Sequence, residues 1–249
     1  VKFVLFCFVA TLLSILLCAG ISMLWKEQAI RGEFIQASYR SSAALLGIAF
    51  IQNIYGSAGM GPLMIIGSVP LYNMMAVVVL SVFRPGQQGL DKTVVKRTMT
   101  GIVTNPIILG IVAGLLWSAL GLPLSGIPGK TIGNIASMAT PLGLMAMGAS
   151  FDIQKAVQKG RPAIVASVMK LVGFCVIFLP VAIAFGFREE ELVAILVMLG
   201  SATTVSCYVM ARNMGHEGVL TSSTVMRTTR FSAFTLTGWL FLLRSAGLI

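Results

Sequence analysis

Charge is what this chain has least of. Only 10% of its 249 residues are Asp, Glu, Lys or Arg, while 57% are hydrophobic. Soluble domains carry roughly 25% charged residues. So few charges leave no polar shell for a core of this size, so lipid must supply the missing solvent. Acidic residues are scarcer than basic ones, 8 against 18, and His216 is the single histidine. No His cluster, HExxH pattern, GxSxG elbow or pair of carboxylates is present, so the usual constellations of an integral membrane enzyme are missing. The four cysteines, Cys7, Cys18, Cys175 and Cys207, all lie in apolar runs. They read as small buried hydrophobes, not as a disulfide or zinc set. No connection exceeds about 17 residues, which leaves no soluble domain for a sensor or a non-transporting scaffold. The net charge of +10 does not imply nucleic acid, because the basic residues cluster in short connections between apolar runs.

What remains is a series of apolar stretches. A helix of about 20 apolar residues spans a bilayer core, and eight candidates follow: A about 2–25, B about 34–55, C about 59–83, D about 101–121, E about 131–150, F about 162–186, G about 191–212 and H about 218–243. Gly56 and Gly59 separate B from C, Arg84-Pro85-Gly86 ends C, and Gly215 and Gly218 separate G from H. The chain opens Val1-Lys2-Phe3, already inside an apolar run and without Met. That run is long enough to span and no small-residue cleavage site follows it, which argues against a signal peptide. The expectation is a chain truncated at its N-terminus.

Lys and Arg in short loops set orientation. Lys26, Arg31 and Arg40 lie around the A–B connection. Arg84, Lys92, Lys96 and Arg97 lie between C and D. Lys155, Lys159 and Arg161 lie between E and F, and Arg212 opens the G–H connection. The opposite loops carry Lys2, Lys130, Arg188 and Arg244, with the acidic run Glu189-Glu190-Glu191. The richer set is assigned to the cytoplasm of a multi-pass protein of the cell membrane, which puts the C-terminus outside. Every acidic residue, Glu33 among them, is expected in a loop or at a span end.

B and G are the least ordinary spans. B holds Gln36, Ser38, Arg40, Ser41 and Ser42. G holds Ser201, Thr203, Thr204, Ser206 and Tyr208. Both set a polar cluster inside an apolar run and close on similar tails, Gln52-Asn53-Ile54-Tyr55-Gly56 and Arg212-Asn213-Met214-Gly215. The likeness suggests internal duplication. A second half of five spans, D to H, then implies two spans missing before A.

These residues also carry a resemblance. Asn105-Pro106-Ile107-Ile108 with Gly110 and Gly114 resembles the start of the second half in the auxin efflux carrier family. Ala139-Thr140-Pro141-Leu142, ending Met147-Gly148-Ala149-Ser150, is similar to that family's next helix. Ser38-Tyr39-Arg40-Ser41-Ser42, with Leu46-Gly47-Ile48 and Tyr55-Gly56, resembles its fourth helix. Thr203-Thr204-Val205-Ser206-Cys207-Tyr208-Val209-Met210-Ala211 resembles its ninth, and Lys170-Leu171 also fits. The resemblance implies a secondary transporter of small organic anions, nearest in kind to bacterial malate or malonate permeases. It implies an all-α membrane protein with ten helices in two inverted five-helix repeats, about eight of them present, and with broken helices that cross near the midplane. Residues 1–83 would be the last three helices of the first repeat, 84–100 a basic cytoplasmic linker and 101–249 the second repeat. The chain departs from the family pattern at Ala202, where proline is common, at Ser42, where bacterial members often carry Asn, and at Arg227 and Arg230, where apolar residues are usual.

The candidate substrate-binding residues follow from both lines. Ser41, Ser42, Thr203, Thr204 and Ser206 could donate hydroxyls at a helix break, or merely bond back to carbonyls of intact helices. Tyr208 lies in the same cluster. Asn105 is an amide in a span, which needs a partner and serves either helix adhesion or the site. Lys170 could bind carbonyls at a break or attract anions. Arg227 and Arg230, three apart in H, share a face. They could hold a carboxylate bidentately, or snorkel to the cytoplasmic face or a vestibule. Gly110 and Gly114 read as close helix packing rather than dimerisation. Expected partners are the organic anion, a coupling proton or sodium ion, the bilayer and, as an option, a second copy in a homodimer. No cofactor or nucleic acid is expected.

Overall fold

The computed structural model describes residues 1–85, 96, 99–101, 103–104, 106–121, 123 and 125–249. The structure is 81% helical, with no strand among the described residues. In chain order the helices are α1 (Lys2–Ser22), α2 (Gln28–Tyr39), α3 (Ile48–Tyr55), α4 (Gly61–Val82), α5 (Pro106–Ala119), α6 (Gly126–Ala149), α7 (Ile153–Gln158), α8 (Gly160–Val168), α9 (Phe174–Ala184), α10 (Glu189–Gly200), α11 (Ser206–Asn213) and α12 (Val219–Ser245). A wide π-type turn at Ala43–Gly47 leads into α3, and another at Met169–Gly173 joins α8 to α9.

Among the described residues, four helical stretches are long and apolar enough to cross a membrane: Lys2–Ser22, Gly61–Val82, Gly126–Ala149 and Gly160–Ala184. They coincide with A, C, E and F. Segment H forms the 27-residue α12, too rich in Ser, Thr and Arg to join the four. B and G each form two helices with an interruption between them.

Helix α1 shows how such a chain packs without a soluble exterior. Its buried stripe is Phe3, Cys7, Ala10, Thr11, Ser14, Ile15, Cys18 and Ser22, mostly small, while Leu5, Leu13 and Leu16 point outward. Lipid tails are as apolar as leucine, so packing is won by small residues that let backbones approach. Gly67 of α4 meets this stripe: a Cβ there would lie 2.8 Å from Cys7 Cβ and from the Val4 carbonyl oxygen. The four cysteines are all buried and free.

The core centres on α10. Every residue from Leu192 to Gly200 is buried. A half-helix hydrophobic all round has to be enclosed on all sides.

Connections meet in two groups. In one, Lys159 pairs with Glu217 at 2.9 Å, joining the E–F and G–H connections. In the other, Lys2 Nζ donates to the Phe185 carbonyl at 2.6 Å. There too the Glu189 amide donates to the Leu248 carbonyl at 2.9 Å.

Two carboxylates tie the interrupted helices to the uninterrupted ones. Glu33 of α2 accepts from the Gly218 amide at 2.8 Å, the Thr221 amide at 3.0 Å and the Thr221 hydroxyl at 3.1 Å. It thereby caps α12, where unpaired N–H groups and the positive dipole end favour an anion. Glu190 of α10 accepts from the Met60 amide at 3.0 Å, at the start of α4. Gly59 there has φ +36°, and a Cβ would collide with the Glu190 carboxylate. Glu33 corrects an expectation. Helix α2 begins at Gln28, so Glu33 lies inside it and is buried, not at a span end. His216, in the connection before α12, is buried too, and its Nε2 bonds the Leu80 carbonyl at 2.9 Å.

Candidate functional site

Helix α2 stops at Tyr39, and Arg40 is extended at φ −72°, ψ 132°. Helix α10 stops at Gly200, and Ser201 is extended at φ −73°, ψ 162°. Neither break contains proline. Ser and Thr side chains offer the backbone partners other than the helix ladder, which lets the chain leave the helix there. The two breaks meet. The Ser42 amide donates to the Ala202 carbonyl at 2.9 Å. The hydroxyls of Ser41 and Ser201 hydrogen-bond each other.

A helix end buried in a membrane protein must have its carbonyls satisfied by protein. Here they are met from across the crossing. Thr203 Oγ1 donates to the Ala37 carbonyl at 2.8 Å, and Ser41 Oγ donates to the Val197 carbonyl at 3.3 Å. Thr228 Oγ1 accepts from the Thr203 amide at 3.1 Å, which ties the second break to α12. Lys170 completes the set. It sits in the π-type turn between α8 and α9, and is buried. Its ammonium donates to the Leu199 carbonyl at 2.8 Å and to the Met198 and Tyr39 carbonyls at 3.4 Å. One cation therefore serves the C-terminal ends of both α2 and α10, where helix dipoles favour positive charge.

A second buried cation was hidden in the sequence. Arg40 counts there among the basic residues near the A–B connection. The structure places it in the first break, buried. Its guanidinium donates to Asn73 Oδ1 at 2.7 Å and to Ser206 Oγ at 3.1 Å, and it also reaches Met210 Sδ. The signal was its place beside Ser41 and Ser42 in a polar cluster. The loop tally masked it.

A cleft of about 640 Å³ opens beside the crossing. Ser42, Thr203, Thr204 and Ser206 of the crossing line it, with Thr140 and Thr229 as further polar residues, and Leu46, Leu144 and Val209 are among its apolar lining. Thr204 Oγ1 and Ser206 Oγ lie 3.2 Å apart. Ser206 thus stands between Arg40 and the cleft.

The structure brings Ser41, Ser42, Thr203, Thr204, Ser206 and Lys170 together at the crossing. Ser41 and Lys170 lie behind the cleft wall. Tyr208 does not line the cleft; it packs with Met147 and Val225. Arg227 and Arg230 line a separate cleft of about 270 Å³. Asn105 lies outside the described residues.

A family model described as membrane transport protein matches residues 2–240. The chain belongs to that family, the auxin efflux carrier/membrane transport family. It is therefore a multi-pass membrane transporter, built of helices, that carries a small-molecule substrate. No curated protein matches the chain. No solved structure matches it either.

Proposed function

We propose that the chain is a secondary-active carrier of small organic anions, carboxylates by class, working by alternating access around the cleft at the two breaks. The observation that carries this reading is the wall of Ser42, Thr203, Thr204 and Ser206, with the Arg40 guanidinium one hydrogen bond behind Ser206. The cleft falls within the roughly 300–1,000 Å³ of small-molecule sites. The starts of the second half-helices, near Leu46 and Ser206, also line it, and N-terminal helix ends favour anions. Two buried cations, Arg40 and Lys170, bias the crossing toward negative charge. Glu33 accepts hydrogen bonds from three donors at the start of α12, so it serves as a cap.

The same reading takes residues 101–249 as a second inverted repeat and residues 1–83 as the end of the first, joined by the basic stretch 84–100. Two correspondences support it. Helices α2 and α10 each have 12 residues, and α3 and α11 each have 8. Each first half-helix also lends a carboxylate to the start of a helix in the other half, Glu33 to α12 and Glu190 to α4. Under this reading α4 and α12 are equivalent, and the C-terminus is extracytoplasmic.

The test is counterflow in proteoliposomes with labelled malate, malonate and indole acetate. The expected result is exchange of at least one carboxylate. Ser206→Ala and Thr204→Val should weaken it about tenfold, in line with losing hydrogen bonds to a charged group. No exchange of any carboxylate by folded, full-length protein would sink the proposal.

A further inference from the structure

Arg227 and Arg230 are the charged residues that the crossing leaves unused. In α12, positions 223, 226, 227 and 230 share one face. That face, with α7 and Phe151, encloses the cleft of about 270 Å³. Thr229 lies on another face and lines the crossing cleft instead.

Arg227 is the ninth residue of α12. Its Nη1 donates to the Gly160 carbonyl at 3.3 Å. Gly160 opens α8, next to the connection that carries Lys155, Lys159 and Arg161, so the Arg227 guanidinium reaches the end of that helix beside a basic connection. One Arg227 bond to Gly160 leaves most of its five N–H donors for something else. Ser223 makes the site specific. It is 3% exposed, it lines the cleft, and its Oγ has no hydrogen-bond partner among the described residues. A buried hydroxyl without a partner is costly, and a ligand oxygen would relieve it. The neighbouring acid, Asp152, is engaged in capping α7 through the Lys155 amide at 3.1 Å.

The rest of the lining is apolar: Phe151, Ile153, Ala156, Val157 and Met226. Ile153 and Val157 are 71% and 74% exposed, on a helix that borders the basic loop. Guanidiniums and a hydroxyl at one end, with uncovered apolar side chains at the other, fit an oxyanion borne on a hydrocarbon tail. We propose that this cleft is a second anion site, which takes the phosphodiester headgroup of an anionic membrane lipid. Basic pockets between membrane helices near the cytoplasmic face suit such headgroups. The lipid would brace α7 against α12, the helix whose Thr229 borders the crossing cleft.

Native mass spectrometry of the full chain in detergent tests this, with phosphatidylglycerol and phosphatidylcholine as probes. It reads no transport, so it stands or falls apart from the carrier assignment. Phosphatidylglycerol adducts should exceed phosphatidylcholine adducts about tenfold, as charge-assisted pairing with arginine implies. Arg227→Gln with Arg230→Gln should abolish that preference, and Ser223→Ala should reduce it about threefold. Arg227→Lys with Arg230→Lys should retain part of it, which separates lost charge from lost folding. Arg244→Gln, at the far end of α12, should change nothing. Equal adducts of the two lipids, or an undiminished preference in the double glutamine variant, overturns the proposal. Inorganic phosphate at millimolar concentration should fail to displace the lipid; displacement assigns the site to a free oxyanion and overturns the lipid source.

Discussion

The Ser42 amide donates to the Ala202 carbonyl at 2.9 Å, a backbone hydrogen bond between two helix interruptions 160 residues apart in sequence. It holds the crossing together and it constrains substitution asymmetrically. Proline at 202 keeps the carbonyl, and Ser201 before it is already extended, as proline demands of its predecessor. Proline at 42 removes the donor. Ala202→Pro should therefore leave thermal stability in detergent within about 1 kcal/mol, whereas Ser42→Pro should cost about 1–3 kcal/mol by stranding a buried carbonyl. Equal melting temperatures for the two variants would remove the argued role of this bond.

Lys170 serves three carbonyls at the ends of α2 and α10. Methionine there fills space but donates nothing. Lys170→Met should lower the melting temperature and cut counterflow at least about tenfold, because a buried carbonyl left unmet costs ~1–3 kcal/mol. Lys170→Arg should not restore it, since a planar guanidinium does not reproduce the point donation of an ammonium to three carbonyls. Full activity in Lys170→Met would show that the carbonyls are satisfied some other way.

Arg40 donates to Asn73 and to Ser206 with one guanidinium nitrogen and reaches Met210 with another. An ammonium is a point donor and cannot copy that planar spread. Arg40→Lys should raise the half-saturating concentration of the carried carboxylate about tenfold, as loss of hydrogen bonds to a charged group implies. Arg40→Gln should raise it more. Concentration series in counterflow distinguish this from a fall in maximal rate alone, which would point to a purely structural arginine.

Glu33 and Glu190 offer a paired comparison. Glu33 is buried and accepts three hydrogen bonds, while Glu190 is half-buried and caps α4 through the Met60 amide. Glu33→Gln should cost about 1–2 kcal/mol, the upper range for a charge at a partly buried helix start. Glu190→Gln should cost less, and thermal melts of the two variants decide the order.

The Lys159–Glu217 pair gives a pH expectation. Its hydrogen bond from Lys159 holds the Glu217 carboxylate below its ordinary value. A depressed carboxylate contributes stability above its unfolded value and loses it as pH falls through the folded one. Protection of the 158–160 and 216–218 amides against hydrogen exchange, corrected for the intrinsic pH dependence of exchange, should therefore fall on acidification below the ordinary glutamate range. Glu217→Gln should abolish that dependence. The effect on global stability should be small, because Glu217 is exposed and the pair is screened by solvent.

The interruptions are legible in the residues themselves. Ser and Thr clusters in apolar runs B and G mark where the ladder fails, and the structure breaks both helices there. The uninterrupted runs A, C, E and F are equally clear, because sustained apolarity is a local property. Arg40 is not legible, since a basic residue near a loop and one at a helix break look alike in a charge tally. Glu33 is not legible for the same reason, and because its donors are the α12 amides, which no sequence pattern pairs with it. Arg227 looks deep by counting along H; only its bond to Gly160 shows that its guanidinium reaches the end of the E–F connection.

A helical protein that crosses the membrane many times, with two of its helices interrupted, follows from the order of residues alone, because the contest between lipid and water is settled residue by residue along the chain. What each polar group bonds depends instead on how the helices pack. The Ser41–Ser201, Ser42–Ala202 and Arg40–Ser206 contacts join residues 160 or more apart. A buried donor or acceptor takes whichever partner the packing of distant helices brings within about 3 Å, and that choice is written in no local stretch of chain.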